Sequence, residues 1–206
     1  MQTRRRRLPL LVTVLLTGAL LPLGPTALAT TVATRTIVGD LTMSDGVRLR
    51  YTVVTPTRAG HRPTLFEYSG YDPGTKPDAN YVKQYVESGD GYNYIGVNLR
   101  GTGCSGGAYD YFEELQLLDG YDIIETVAAQ DWVSGHRVGM TGLSYPGISQ
   151  LFVAETHPPS RAAITPLSVI GGTYSTGRPG GICNDGVALS WVTNFVYKAG
   201  PCGEGW

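Results

Sequence analysis

From residue 37 to residue 165 short apolar runs alternate with stretches of helical period. Ile37 to Met43 and Val47 to Thr55 read as two strands, turned at Ser44-Asp45-Gly46. In the second, Val47, Leu49, Tyr51 and Val53 alternate with mostly polar residues, the pattern of a strand with one buried face in an antiparallel pair. Thr57 to Arg62 is a polar loop, and Thr64 to Tyr68 a short apolar strand that ends in turn chemistry from Ser69 to Gly74. Asp78 to Ser88 reads as a helix, with Ala79, Val82 and Val86 at helical spacing. Tyr92 to Leu99 is the next strand, and the glycine-rich Arg100 to Gly107 the loop after it. Glu113 to Asp131 predicts a long helix. Leu115, Leu118, Ile124 and Ala128 lie on or near one face, and Glu113 and Glu114 stand at the positive end of its dipole. A strand at Arg137 to Thr141, a helix at Gly147 to Glu155 and a strand at Ala162 to Thr165 follow.

From Thr64 to Thr165, therefore, four strands alternate with three helices. That order predicts an α/β fold, with parallel strands joined by right-handed crossovers and helices on both faces. Beyond Leu167 the rhythm stops: Gly171 to Asp185 is turn-rich, and Val187 to Ala199 is a candidate helix with Trp191, Phe195 and Lys198 at helical spacing. Three segments are expected: a leader at 1–29, an α/β core at 30–170, and the start of a further, cap-like region at 171–206.

The leader changes the picture of charge. Arg4 to Arg7 precede the apolar stretch Leu8 to Leu23, and Ala27-Leu28-Ala29 fits a small-x-small cleavage site, so a secretory signal peptide is expected, cut after Ala29. The apolar stretch is short for a membrane span. Thr3-Arg4-Arg5 resembles a twin-arginine signal, although arginine stands where a hydrophobic residue should follow the pair. Loss of the leader's four arginines takes the net charge from −1 to −5. No basic block remains, which makes nucleic acid and acidic lipid poor partners and predicts no stable membrane association after cleavage. Of three cysteines, Cys183 and Cys202 are candidates for a disulfide, and Cys104 reads as a small residue filling a tight turn. No cluster has zinc-ligand spacing.

The candidate chemistry centres on Gly142-Leu143-Ser144-Tyr145-Pro146-Gly147. The segment Trp132 to Thr156 reads as strand, sharp turn and helix, which would lift the Ser144 hydroxyl above the sheet as a nucleophile. Gly142 keeps the approach to the helix clear, Gly147 lets the helix pack close to its strand, and Pro146 falls in the first turn, where no amide hydrogen is needed. The Tyr145 amide can point at a developing oxyanion. The competing reading is an ordinary strand-to-helix turn whose serine caps the helix.

Three stretches resemble the X-Pro dipeptidyl-peptidase and cocaine-esterase-like hydrolases (CocE/NonD, peptidase family S15). Gly139 to Gly147 is similar to the family's Gly-x-Ser-Tyr-x-Gly, which accounts for a second glycine one place later than in the common elbow. Asn98 to Gly107 resembles its Arg-Gly-x-Gly-x-Ser-x-Gly loop, and Leu65 to Tyr71 a strand ending in Pro-Tyr, with Gly70 in place of the proline. The resemblance, from about Ile37 onward, implies the N-terminal part of an α/β-hydrolase sheet, truncated within a helical cap. It implies Ser144 as nucleophile and an oxyanion hole made by the Tyr71 hydroxyl and the Tyr145 backbone amide. Tyr68 competes with Tyr71 for that role. Arg100 is expected to anchor its loop, and Asp119 and Asp122 to face solvent or cap it.

In the resembled family an acid and a histidine follow the nucleophile. Here the histidines are His61, His136 and His157. His61 falls in an early loop, His136 directly before the nucleophile strand and His157 at the end of the next helix, and no histidine follows Asp185. The general-base His and acid Asp are thus expected to be absent from this chain. The expected function is a secreted serine hydrolase of the X-Pro dipeptidyl-peptidase type, acting on a peptide or a small ester or amide through an acyl-enzyme, with no metal or organic cofactor. The alternatives are a secreted carboxylesterase or acylase, and a non-catalytic binding protein that retains the fold.

Overall fold

The structure is a computed structural model that describes residues 32–88, 91–110 and 112–196. The leader, Lys198 and Cys202 lie outside the described residues, and with them the expected cleavage site and the Cys183–Cys202 pair. Thr34–Thr42 (β1) and Arg48–Pro56 (β2) form the antiparallel hairpin expected from the alternation, with Thr34 opposite Pro56 and Thr42 opposite Arg48. The turn closes through the Gly46 amide on the Met43 carbonyl, and the Asp122 carboxylate accepts the Ser44 amide at 2.8 Å.

Four further strands follow: Arg62–Ser69 (β3), Asn93–Asn98 (β4), Val133–Leu143 (β5) and Arg161–Leu167 (β6). Their order in the sheet is β1-β2-β4-β3-β5-β6. β4 pairs antiparallel with β2, whereas β4 with β3, β3 with β5 and β5 with β6 are parallel, as the strand-helix alternation requires. The chain steps from β3 outward to β4, then crosses back over β3 to β5. The direction of winding therefore reverses beside β3, and the carboxyl ends of β3 and β5 flank the crevice where such sheets bind ligands.

The crossover helices cover the two faces separately. A turn of α-helix at Ala79–Tyr81 (α1) continues as a π-helical stretch at Val82–Glu87, so the single α-helix expected at 78–88 is wound more widely over most of its length. Asp78 caps it by accepting the Asn80 and Tyr81 amides. Val86 packs there with Tyr94 and Val54. On the other face Glu114–Ala128 (α2) and Tyr145–Glu155 (α3) bring Ile123, Ile124, Val127 and Val153 against Phe66, Tyr68, Ile95 and Val97.

The inward face of α2 differs from expectation. Leu115 and Leu118 are 41% and 46% exposed, and the buried positions are Gln116, Asp119, Gly120, Ile123, Ile124, Val127 and Ala128. Periodicity of apolar residues could not find this face, because its first turns carry polar side chains that bond to the loops at the sheet's carboxyl edge. β5 also begins earlier than expected, so His136 lies inside it rather than ahead of it, at a kink where Gly135 and His136 both have positive φ. After β6 come a short helix at Thr173–Gly177 (α4), a 3₁₀ turn at Pro179–Gly181 and a helix at Val187–Asn194 (α5), which ends sooner than the expected Ala199. No helix among the described residues is long and apolar enough to cross a membrane.

Candidate active site

Parallel register brings the predicted site residues together. Phe66 on β3 lies opposite Met140 on β5, so Tyr71 and Ser144 follow at nearly the same height on neighbouring strands, just past the carboxyl edge. Ser144 sits between β5 and α3 with φ 68° and ψ −120°, a conformation costly for a residue with a side chain. The surroundings hold it. Its amide donates to the Leu167 carbonyl at 2.9 Å, and its carbonyl accepts the Gly147 and Ile148 amides. Its side chain makes no capping hydrogen bond, which removes the competing reading of a capping serine.

Helix α3 begins at Tyr145, two residues earlier than expected, so the Tyr145 amide is its first and has no intrahelical acceptor. Pro146 is in the first turn, as expected. The two glycines act as spacers. A Cβ on Gly142, at φ +145°, would stand 2.4 Å from the Pro146 Cβ. One on Gly147 would stand 2.4 Å from the Leu167 carbonyl oxygen, so the close approach is to β6 more than to the helix's own strand.

Tyr71 stands in the loop after β3. Its amide donates to the Ser69 hydroxyl at 3.1 Å, and its hydroxyl accepts the Trp191 indole N–H at 2.8 Å. That loop is tied to the glycine-rich loop by Asn98, the fully buried last residue of β4. Asn98 Oδ1 accepts the Gly74 amide at 2.7 Å, and its Nδ2 donates to Asp72, to Thr75 and to the Gly103 carbonyl. Tyr68, the competing oxyanion donor, is 1% exposed beneath α3, its hydroxyl bonds to no described residue, and burial pushes its pKa up. It does not reach the edge where Ser144 lies.

Arg100 anchors its loop as expected. Its guanidinium donates to Asp119 through two bonds of 2.7 and 2.6 Å and to Asp45 at 3.0 Å. These bonds keep its pKa up. Of the two places expected for Asp119, facing solvent or capping the loop, the first does not hold: it is 2% exposed and paired with the loop's own Arg100. Burial raises its pKa, against the lowering effect of the arginine. The reason is geometric, since Asp119 lies on the inward face of α2. Asp122, by contrast, caps the β1–β2 turn. Cys104 is half-buried at φ 69°, within the tight turn.

The Tyr145 ring lies against Tyr71, Phe112 and Trp191, where it helps to line the site. Its hydroxyl donates to Gln116 Oε1 at 2.9 Å and lies within 3.3 Å of the Tyr109 hydroxyl, and burial pushes its pKa up. Above Ser144 a cavity of about 230 Å³ opens between Tyr71, Phe112, Ile148, Ile170 and α5. Its described walls are apolar, aromatic or hydroxyl-bearing, and none carries a formal charge. Trp191 on α5 and Phe112 were not singled out as site residues by the sequence reading. Trp191 and Phe195 both face Tyr71, but their helical spacing marks only a shared helix face and not this contact.

The histidines do not join this site. His61 immediately precedes β3, His157 lies in the connection leading into β6, and His136 is near the start of β5. All three belong to the opposite edge of the parallel strands. Eight residues of extended chain separate His136 from Ser144, roughly 26 Å. His136 Nδ1 instead lies 2.8 Å from the Ala128 carbonyl. Asp185 is exposed in the turn before α5. Among the described residues no group of three or more His, Cys, Asp or Glu is placed to hold a metal ion.

Comparison with known proteins agrees with this geometry. The family X-Pro dipeptidyl-peptidase (S15 family) matches residues 45–201. A Mycobacterium bovis protein whose name proposes a serine esterase is 28% identical over 165 residues, 69% of this chain and 26% of that protein. The chain thus spans about a quarter of the length of the curated relatives it matches. Among solved structures, a CocE/NonD family hydrolase from Staphylococcus aureus is 25% identical with a TM-score of 0.69, covering 78% of this chain and 32% of that one. An α-amino acid ester hydrolase shares the fold, with a TM-score of 0.57 at 23% identity over 82% of this chain and 34% of its own. The expected α/β-hydrolase architecture is therefore present, with the sheet order, the switch point and the elbow in place.

Proposed function

Since the chain belongs to the X-Pro dipeptidyl-peptidase (S15) family, with a CocE-like α/β-hydrolase fold, we propose that it is a serine hydrolase that cleaves peptide or ester bonds through an acyl-enzyme on Ser144. The observation that carries this reading is the backbone of Ser144, held at φ 68° by neighbours that leave its hydroxyl unused as a cap. Holding a residue in such a region costs about 1–3 kcal/mol, and such strain concentrates at functional sites.

In the proposed reaction the Ser144 oxygen attacks the substrate carbonyl carbon and gives its proton to a general base. The carbonyl oxygen becomes negative and is met by the Tyr145 amide and the Tyr71 hydroxyl. The bond to the leaving amine or alcohol then breaks, the leaving group takes a proton, and water releases the acyl group. No histidine of this chain is at hand to take the proton, so slow turnover is expected from the chain by itself.

For the finer specificity we propose an Xaa-Pro peptide, a proposal that rests on the family. A carboxylesterase or acylase is the second reading. It is favoured by the described walls of the cavity, which carry no formal charge and so offer no carboxylate to a substrate's free amino group. A panel of Xaa-Pro anilides and neutral aryl esters tests the two. Preference for the anilides supports the peptidase, and preference for the esters overturns it. Binding of both without any Ser144-dependent hydrolysis would favour a non-catalytic role. We further propose export after cleavage at Ala29, without lasting membrane association. N-terminal sequencing of the secreted product should begin at Thr30, and a product that retains Arg4 to Arg7 would refute it.

A further inference from the structure

We propose that Trp191 is a positioning residue for the oxyanion site: its indole N–H fixes the Tyr71 hydroxyl and polarises it toward the substrate. This rests on the reading above, in which Tyr71 donates to the oxyanion. The direction of the bond is certain from chemistry, because an indole nitrogen only donates. At 2.8 Å, Trp191 Nε1 therefore occupies a lone pair of the Tyr71 oxygen and leaves the phenol's own hydrogen out of that bond.

Both rings line the cavity over Ser144. Trp191 lies 5.9 Å from the Tyr145 ring, and Tyr71 meets Tyr145 and Phe195 edge-on, each with centroids 6.0 Å apart. These contacts restrict rotation of the Tyr71 ring about its loop. The bond also joins residues 120 positions apart, so helix α5, packed over the cavity, sets the donor that β3 delivers.

A donor to the phenol oxygen strengthens the bond that the phenol makes in turn, by about 10–30% in a chain of hydrogen bonds. One oxyanion donor is worth about 10²–10³-fold in rate. Loss of the Trp191 polarisation should then cost roughly 2–8-fold, and any loss of orientation adds to that.

The test is a double-mutant cycle on the rate at which a fluorophosphonate probe labels the protein, each variant read as a ratio to the parent. Trp191→Phe keeps an aromatic ring and removes the donor. It should slow labelling by roughly 2–8-fold or more. In the Tyr71→Phe background the same substitution should have no further effect. Equal and independent effects in both backgrounds, or no effect of Trp191→Phe on the parent, would overturn the inference. No effect of Tyr71→Phe by itself would overturn the oxyanion assignment, and labelling that survives Ser144→Ala would overturn the nucleophile. The indole N–H signal of Trp191, identified by its loss in Trp191→Phe, separates these failures without any chemistry at Ser144. It should move upfield in Tyr71→Phe, and an unmoved signal would refute the hydrogen bond itself.

Discussion

Glu67 is a carboxyl group buried within the sheet, and its titration should be visible in stability. It lies on β3 between Phe66 and Tyr68, which face α2 and α3, so its own side chain turns to the opposite face, toward the π-helical stretch. It is 6% exposed and accepts the Tyr94 hydroxyl. Burial raises its pKa from the ordinary 4.5 to about 7; the Tyr94 hydrogen bond opposes the rise and the nearby Asp78 adds to it. The folded state therefore holds a proton that the unfolded chain releases. The stabilisation is full below about pH 4.5 and is lost as pH rises through about 7. At about 1.4 kcal/mol per pH unit the whole effect is about 3 kcal/mol, most of it between pH 5 and pH 8. Glu67→Gln keeps the shape and an acceptor for Tyr94 but has nothing to titrate. Urea unfolding of both proteins from pH 5 to pH 8 should show the variant gaining on the parent by about 2–3 kcal/mol. A difference that stays constant over that range, or a parent that gains on the variant, would refute the reasoning.

Two substitutions probe the scaffold of the site. Asp119→Asn breaks a pair whose members are 2% and 5% exposed and should cost about 3–5 kcal/mol in denaturant unfolding, while Asp122→Asn, at the hairpin turn, should cost about 1 kcal/mol or less. Equal costs would contradict the buried pair. Gly147→Ala puts a methyl group 2.4 Å from the Leu167 carbonyl. It should destabilise by about 1–3 kcal/mol and slow probe labelling out of proportion to any unfolded fraction seen by circular dichroism. A variant that labels at the parent rate would contradict the spacing role of this glycine.

The strands and the elbow were legible because they obey local rules. The two-residue period of β2, the apolar runs of β3, β4 and β6, and the Gly-x-Ser-Tyr-Pro-Gly turn need only nearby residues to be read. The inward face of α2 was not legible, because Gln116 and Asp119 face inward to meet Tyr145 and Arg100, partners from distant segments. Asp119 for the same reason looked like a surface residue. Tyr71 was found through family resemblance, and its partner Trp191 was not, since nothing in the spacing of α5 says which ring meets the oxyanion loop. The π-helical winding after Tyr81 also has no signal in the apolar spacing, which fits an α-helix equally well.

The central claim is that Ser144 is the nucleophile, and the mass of the probe-labelled peptide tests it most directly. With no histidine of the chain near Ser144, labelling should be slow, as expected for a serine hydroxyl without its base. After digestion, the fluorophosphonate adduct should lie on the peptide that contains Ser144, and Ser144→Ala should abolish it. An adduct on another residue, or labelling unchanged in Ser144→Ala, would contradict the account.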